Sequence, residues 1–313
     1  MNDAKNVLIL TIYGDYFRRV PYYIGLVNYL KLMNNDLKVI LVISAPKCTF
    51  NGKLTFTKHK NYSTFGITNS TKNNISNITY EYYCKIPHDS IIICPNKGWD
   101  IGPLMVGLRY MYVHNIQPEY LINIHSKTNK EWEQGLTKII RYSIKDFNVD
   151  TIVPSNWCSS VYTPSDISSE LNIKKIKTLS NNLPGVDFSD VYNWKYVAGK
   201  MFITRFNYLK PIVNSFDTLY PILTDKNTDD QFWVTAVKGK NVFNYYYNMY
   251  KNNPWNEPIN HNAYYALTRL NCKNYFELKN YGYRSIPDLM IEHALERIIG
   301  HTILHNSTNI LKI

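Results

Sequence analysis

One group of residues with the chemistry of a ligand site follows an apolar run that ends at Cys94. Asn96, Gly98 and Asp100 stand there at two-residue spacing, just before an apolar segment with helical periodicity. Glycine lets the backbone approach a ligand, a carboxylate accepts hydrogen bonds from sugar hydroxyls, and a helix start offers N–H groups to an anion. A plain strand-to-helix turn, with Asp100 capping the helix, explains the same residues. The glycine spacing matches neither the phosphate loop nor the dinucleotide fingerprint, so both interpretations stay open.

A second group emerges where another apolar run, Tyr120 to Ile124, ends. His125, Ser126 and Lys127 follow it directly. A lysine supplies positive charge, and a hydroxyl and an imidazole supply directed hydrogen bonds, which together suit a diphosphate. A single histidine at a strand end is more often structural, but the three residues together favour a ligand site at the edge of a sheet.

Further candidates lie in the second half of the chain. Gly199 and Lys200 interrupt an apolar stretch, where a glycine either admits a substrate beside the backbone or forms a bulge. Carboxylates stand at two predicted helix starts, Asp229-Asp230 and Asp288. The helix dipole stabilises a carboxylate at such a position, so capping explains these residues without a catalytic role.

The elements that must position these residues alternate between strand and helix. Apolar runs predict strands over residues 6–13, 37–44, 90–94, 120–125, 151–154 and 196–204. Helical spacing predicts helices over 22–33, 102–114, 131–146, 206–216, 229–237 and 288–299. Residues 47–80 lack a clear period, and we expect loops with short strands there. Strand–helix–strand units imply an α/β fold with a mostly parallel sheet covered on both faces, in one domain over residues 1–313 with a more irregular, helical C-terminal third.

Composition excludes several classes of protein. The chain has 313 residues, of which 45% are hydrophobic and 19% charged, as in a globular protein rather than a disordered one. No apolar run reaches the ~18 residues that cross a bilayer, and the first residues do not have the pattern of a signal peptide, so we expect a cytoplasmic protein. Five scattered cysteines without a Cys-x-x-Cys pair argue against a zinc ribbon and a disulfide scaffold.

The net charge of +11, from 35 Lys and Arg against 24 Asp and Glu, suits three kinds of partner. These are nucleic acid, an anionic membrane surface and a phosphate-bearing substrate. The basic residues are spread thinly, with small clusters only at 18–19 and 174–177, so we expect no nucleic-acid binding. Peripheral association with a membrane stays open.

Four motifs occur in a fixed order: Asn-x-Gly-x-Asp at 96–100, His-Ser-Lys at 125–127, Ala-Gly-Lys-Met-Phe at 198–202 and Asp-x-x-x-x-His-Ala-x-Glu-Arg at 288–297. This series resembles the rhamnan synthesis protein F family of glycosyltransferases, with patterns N-x-G-x-D, H-T-K-K, A-G-T-M-F and D-G-x-x-x-H-A-x-E-R. Ser126 and Lys200 stand where the family has threonine, and Thr128 replaces the second lysine. The segment between Arg205 and Asp288 is longer than the family pattern predicts, and residues 1–90 match only in general layout.

The resemblance implies a GT-A type fold, a mixed and largely parallel sheet flanked by helices. It also implies transfer of a sugar, typically L-rhamnose, from a dTDP- or UDP-linked donor to a glycan acceptor. Residues 1–155 would bind the nucleotide sugar through Asn96, Gly98, Asp100, His125, Ser126 and Lys127. Residues 156–313 would bind the acceptor through Gly199, Lys200, His293 and Arg297.

An inverting transfer needs a carboxylate that takes the proton of the acceptor hydroxyl. The layout of inverting GT-A enzymes favours Asp229-Asp230 as the catalytic pair, with Asp230 as the base. The family motif favours Asp288 instead. We place Asp230 first, because the longer segment before Asp288 could have moved its helix away from the site.

Many GT-A enzymes hold Mg²⁺ or Mn²⁺ with an Asp-x-Asp motif at the end of the strand equivalent to Tyr120–Ile124. This chain has His125, Ser126 and Lys127 there, so we predict no metal ligands and weak or absent metal dependence, with Lys127 supplying the positive charge. A second hypothesis is a non-catalytic carbohydrate- or nucleotide-binding protein on the same scaffold. A nucleic-acid-binding accessory protein, the third hypothesis, rests on charge alone.

Overall fold

The computed structural model describes residues 5–14, 17–34, 36–45, 48–67, 75–98, 100–126, 149–154, 158–161, 167–198, 201–223 and 291–313. The helices predicted over 131–146 and 229–237 lie outside these ranges.

Strands and helices alternate through most of the described chain. Its strands are β1 (Asn6–Tyr13), β2 (Leu37–Ala45), β3 (Phe56–Lys58), β4 (Ser63–Phe65), β5 (Ser90–Pro95), β6 (Tyr120–His125), β7 (Thr151–Val153), β8 (Cys158–Ser160), β9 (Lys195–Val197), β10 (Phe202–Arg205) and β11 (Ile310–Lys312). Its α-helices are α1 (Val20–Met33), α2 (Ile75–Tyr83), α3 (Ile101–Val113), α4 (Ile167–Leu179), α5 (Lys210–Asn214), α6 (Phe216–Leu219) and α7 (Ile291–Asn306).

The main sheet has nine strands in the order β11-β7-β10-β6-β1-β2-β5-β4-β3. Neighbouring strands pair in parallel except where β10 meets β6 and β7 and where β3 meets β4. A separate antiparallel pair joins β8 and β9. The prediction of an α/β fold with a large, mixed and mostly parallel sheet flanked by helices is therefore confirmed.

The sheet divides the apolar core into two layers because side chains alternate between its faces. In β1, Val7 and Ile9 face one layer, and Leu8 and Leu10 face the other. The first layer contains the buried side chains of α3, α4, α5, α6 and α7. The second contains those of α1 and α2. The central strands are apolar on both faces, as a doubly covered parallel sheet requires.

Three predictions about elements need correction. The strand predicted over 196–204 is two strands, β9 and β10, which belong to different sheets. The region 47–80, predicted as loops with short strands, contains β3 and β4 but also the start of α2. This helix consists mostly of Tyr, Ile, Ser, Asn and Thr, which are weak helix formers, and it forms where it packs on β2 and β5. The helix predicted over 206–216 is a 3₁₀ turn followed by α5 and α6.

The winding of the chain changes side between β1 and β6. From β1 the chain passes through α1 to β2, which pairs with one edge of β1. From β5 it passes through α3, on the opposite face of the sheet from α1, to β6, which pairs with the other edge of β1. In open α/β sheets, ligands bind in the crevice at the carboxyl ends of the strands at such a switch point. None of the helices in the described part of the chain is both long and apolar enough to cross a membrane.

Candidate functional site

A row of hydrogen bonds connects the carboxyl ends of the four central parallel strands. The Ser126 hydroxyl, after β6, accepts the N–H of Tyr13 in β1 at 3.0 Å. The N–H of Gly14 donates to the Ser44 carbonyl in β2 at 2.8 Å. The Ser44 hydroxyl then donates to Oδ1 of Asn96, after β5, at 3.1 Å. Polar groups from both predicted junctions therefore take part in one series of hydrogen bonds along this edge of the sheet.

The two junctions also meet directly through their ionisable side chains. Nδ1 of His125 lies 3.4 Å from Oδ2 of Asp100 and 3.3 Å from the Ser126 carbonyl oxygen. Both neighbours are hydrogen-bond acceptors, so Nδ1 carries the hydrogen that faces them. His125 is only 2% exposed, whereas the Asp100 side chain is 29% exposed. The carboxylate therefore faces solvent from one side and orients the buried imidazole from the other.

Asp100 occupies the capping position of α3 without acting as a side-chain cap, since its carboxylate makes no capping hydrogen bond. This geometry favours the site interpretation of Asp100 over the capping one. The expectation that α3 offers N–H groups to an anion is wrong. The N–H groups of Ile101 and Gly102 donate to the Gly98 carbonyl, Pro103 has none, and that of Leu104 donates to the Asp100 carbonyl.

Both glycines of the first junction are required by the turn itself. Gly98 has a φ of 68°, in the left-handed region that favours glycine. A Cβ at Gly102 would overlap the Lys97 carbonyl group. The sequence predicts that the backbone at these two glycines approaches a ligand closely. In the structure, the close neighbours of both glycines are other atoms of this chain.

Lys97 is a site residue that sequence reasoning passed over. It is buried, its ammonium donates to the Leu223 carbonyl, and it lies 5.5 Å from the centre of the Phe50 ring. These contacts hold the turn before α3 against two distant segments of the chain.

Sequence reasoning also missed Ser44 and the pair Tyr13-Gly14. These residues stand at the ends of predicted parallel strands, where ligands of such sheets bind. Their position at the strand ends is the sequence feature that indicates them as candidates for the site.

The third motif reaches the same edge through β10. Phe202 pairs with Asn123 in antiparallel register, so β10 begins beside the carboxyl end of β6. Met201, just before it, is fully buried. The predicted acceptor residues Gly199 and Lys200 lie outside the described residues.

The fourth motif packs against β9, the strand that directly precedes the third motif. In α7, Nδ1 of His293 lies 3.3 Å from Oε2 of Glu296, and Nη1 of Arg297 donates to the His293 carbonyl at 3.0 Å. The guanidinium of Arg297 lies 5.2 Å from the centre of the Tyr196 ring in β9. Glu296 and Arg297 are buried, so their contacts connect α7 to the core.

The remaining predicted residues lie in parts of the chain that the structure does not describe. These are Lys127, Asp229, Asp230 and Asp288. Their roles stay predictions.

The described residues at the strand ends do not fit a site for Mg²⁺ or Mn²⁺. These cations prefer several oxygen ligands, and among the described residues this edge offers one carboxylate, Asp100, next to an imidazole. Within the described ranges, no three His, Cys, Asp or Glu side chains form a group that could hold a metal ion.

Two thiols near this edge are poor nucleophiles. Burial raises the pKa of Cys48 to about 11. Cys94, at the end of β5, is fully buried, and its pKa is raised still further by desolvation and then by the nearby Cys48. At neutral pH both remain protonated thiols, so the described edge supports no thiolate chemistry.

A scan against protein-family models gives no match for this chain, and a search of curated proteins gives none either.

Proposed function

We propose that this protein is an inverting glycosyltransferase of GT-A type that moves a sugar from a nucleotide diphosphate donor to a glycan acceptor. L-Rhamnose on dTDP or UDP is the donor that the sequence motifs favour. The observation that carries the proposal is the contact between Asp100 and His125 at the switch point of the sheet. Two motifs that resemble one glycosyltransferase family, separated in sequence by α3, meet there in a place suited to a ligand.

The geometry suggests a division of roles in donor binding. The partly exposed carboxylate of Asp100 accepts hydrogen bonds from the hydroxyls of the ribose or donor sugar. His125, held through Nδ1 beside Asp100, is the second donor-binding residue of this pair. The N–H groups in the first turn of α3 donate to carbonyls of this chain, so side chains must neutralise the charge of the diphosphate. Lys127 is the predicted cation.

In the proposed reaction, the acceptor oxygen forms a bond to the anomeric carbon while the bond from that carbon to the diphosphate oxygen breaks. Asp230, or alternatively Asp288, takes the proton of the acceptor hydroxyl. The nucleotide diphosphate leaves with the electron pair, and Lys127 stabilises its charge, together with His125 when both of its ring nitrogens carry hydrogens. No step requires a metal ion.

Donor binding is tested by the thermal unfolding midpoint of the chain with nucleotide sugars. A ligand at 100 times its dissociation constant stabilises the folded state by about 2.7 kcal/mol. We expect dTDP- or UDP-sugars to raise the midpoint and adenine dinucleotides to leave it unchanged. Asp100→Asn and His125→Gln should each weaken donor binding by about tenfold, and the double variant by less than the product, since the two side chains are in contact.

The matched control is Asp217→Asn, which changes an exposed carboxylate paired with Arg109 at 3.1 Å. It should bind donor as the unchanged protein does. A midpoint that no nucleotide sugar shifts would contradict the proposal.

Turnover separates an enzyme from a non-catalytic binder. Asp230→Asn should reduce sugar transfer by ~10² to 10⁴ without weakening donor binding, because it removes the base and keeps the shape. If only Asp288→Asn has this effect, Asp288 is the base. Donor binding without any transfer by the unchanged protein would favour the carbohydrate- or nucleotide-binding alternative, and equal loss of binding and transfer in EDTA would contradict the metal-free mechanism.

A further inference from the structure

The outward side of α1 carries no charged residue. This side consists of the exposed residues Pro21, Tyr22, Gly25, Asn28, Tyr29, Leu32 and Met33. Their spacing of three and four positions places them along one face of a helix of 14 residues, about 21 Å long. Leu32 is 81% exposed. In a water-soluble protein, the outward face of a helix is normally polar and charged, so this face is unusual.

The neighbouring helix extends the same surface. The buried side chains of α1 and α2 belong to one core layer, so both helices cover the same face of the sheet. In α2, Ile78 and Tyr82 are exposed four positions apart. Six of the ten large hydrophobic side chains exposed in the described ranges lie on these two helices, and we call them the apolar surface: Tyr22, Tyr29, Leu32, Met33, Ile78 and Tyr82.

The charge beside this surface is positive at the N-terminal end of α1, whereas the exposed Asp36 follows its C-terminal end. Arg18 and Arg19 stand immediately before α1, and α1 contains no carboxylate. Lys31, the one basic residue of α1, is matched by Asp89 at 3.1 Å. In and after α2, the exposed Glu81 is balanced by the exposed Lys85. The arginine pair therefore gives the N-terminal end of α1 a positive charge beside an uncharged, apolar face.

We propose that the α1–α2 layer binds the surface of an anionic lipid membrane. The side chains of the apolar surface enter the headgroup region, where tyrosine is favoured, and Arg18 and Arg19 contact lipid phosphates. A second copy of the chain is a poorer partner for the same surface, because each copy carries a net charge of +11 and the copies repel. This inference does not depend on the proposed sugar transfer.

Gly25 supplies the sharpest test, because it lies in the middle of the face and a Cβ there would meet nothing within 4 Å. Gly25→Glu places a negative charge against the lipid phosphates, and Gly25→Gln is its uncharged match. Both replace glycine in a helix by a better helix former, so both should fold. Binding is measured by co-sedimentation with vesicles of phosphatidylcholine, alone or mixed with phosphatidylglycerol.

We expect the unchanged protein to bind the mixed vesicles and to bind phosphatidylcholine alone at least about tenfold more weakly. Gly25→Glu should weaken binding to the mixed vesicles by about tenfold, and Gly25→Gln by no more than about twofold. Arg18→Gln with Arg19→Gln should weaken it by about tenfold or more, and added salt should do the same.

A second pair of variants tests the apolar contribution. Tyr29→Ser with Leu32→Ser removes two members of the apolar surface and should weaken vesicle binding by about tenfold or more. Tyr112→Ser with Val113→Ser changes two residues of α3 that are 57% and 54% exposed, on the opposite face of the sheet. This control should bind vesicles as the unchanged protein does.

Three results would overturn the proposal. One is an absence of binding to the mixed vesicles, and another is equal binding by Gly25→Glu and Gly25→Gln. The third is self-association in sedimentation velocity that Gly25→Glu abolishes, without any vesicle binding. That result would assign the apolar surface to a second copy of the chain.

Discussion

His301 in α7 is a residue whose surroundings change its proton affinity. Its ring stacks on Trp194 with centroids 3.9 Å apart and planes 5° from parallel, and Nδ1 donates to the Lys195 carbonyl at 3.2 Å. Burial lowers the pKa of His301 to about 4, with a smaller lowering by His305 and an opposing effect of Asp187. The folded protein therefore keeps this imidazole neutral under conditions in which the unfolded chain protonates it.

This difference predicts a pH-dependent stability. Between pH about 4 and about 6.5 the unfolded chain binds more protons at this site, so the folded state loses stability as the pH falls through that window. His301→Phe keeps an aromatic ring on Trp194 and removes the titration. Its unfolding midpoint should fall less than that of the unchanged protein when the pH is lowered from about 7 to about 5. His114→Gln, which changes an exposed histidine just after α3, is the control, and an equal fall in His301→Phe would show that His301 is not responsible.

Sequence reasoning identified Asp100 and His125 as site residues but did not predict their contact. Asp100 follows β5, and His125 is the last residue of β6. These strands are consecutive along the described chain but are separated in the sheet by β1 and β2. The contact forms because the residues after β5 extend across the strand ends, and the left-handed turn at Gly98 directs this segment. Local patterns identify residue types at strand ends, whereas the path of a connection over the sheet depends on tertiary packing.

At the scale of elements, the prediction from sequence was most accurate for the central strands. The bounds of β1 and β6 were predicted without error, because their runs of apolar residues are long and end at polar ones. The stretch 196–204 predicts one strand because it is mostly apolar, with only a short interruption at Gly199 and Lys200. In the structure, Val197 pairs with β8 while Phe202 pairs with β6, a change of sheet that hydrophobicity does not encode.

The contact between α7 and β9 depends on Gly300. A Cβ at Gly300 would lie 2.6 Å from the backbone nitrogen and 2.8 Å from the carbonyl oxygen of Val197. Since backbone atoms cannot rotate away as a side chain can, Gly300→Ala should lower the free energy of unfolding by about 1–3 kcal/mol.

Gly25→Ala is the matched control, a helix glycine whose Cβ would meet nothing within 4 Å. It should raise the free energy of unfolding by about 0.5–1 kcal/mol, because alanine restricts the unfolded chain. Chemical denaturation of the two variants measures both values. Similar effects of both substitutions would contradict the close approach of α7 to β9.

At the scale of the molecule, Asp150 connects three distant parts of the sheet. Its carboxylate accepts hydrogen bonds from Nε of Arg205 at 2.7 Å, from the Thr308 N–H and hydroxyl at 2.9 and 2.7 Å, and from the Asn309 N–H at 3.2 Å. These bonds, the largest being those from the side chains of Thr308 and Arg205, hold the pKa of Asp150 far below its usual value. The segment before β7, the end of β10 and the start of β11 are joined at this residue.

Asp150→Ala should lower the free energy of unfolding by about 2–3 kcal/mol, because several donors lose an ionised acceptor. Asp217→Ala, which removes an exposed carboxylate paired with Arg109, should cost less than about 1 kcal/mol. The depressed pKa means that the stabilisation from Asp150 is complete above the ordinary aspartate pKa of about 4 and is lost as the pH falls further. Urea titrations near neutral pH compare the two variants, and equal losses would show that Asp150 contributes no more than a surface pair.

The order of strands in the sheet has a consequence for how the molecule assembles in time. Asn6 of β1 pairs with Leu37 on one side and with Tyr120 on the other. During synthesis, β1, α1 and β2 can form a local unit early, but the second edge of β1 stays unpaired until β6 has left the ribosome. Through that interval a strand that is buried along almost its whole length in the folded protein has an unpaired edge, the kind of edge on which strands of other chains assemble. The nascent chain is therefore most exposed to aggregation before β6 arrives, and the closure of that edge is the step that a chaperone would protect.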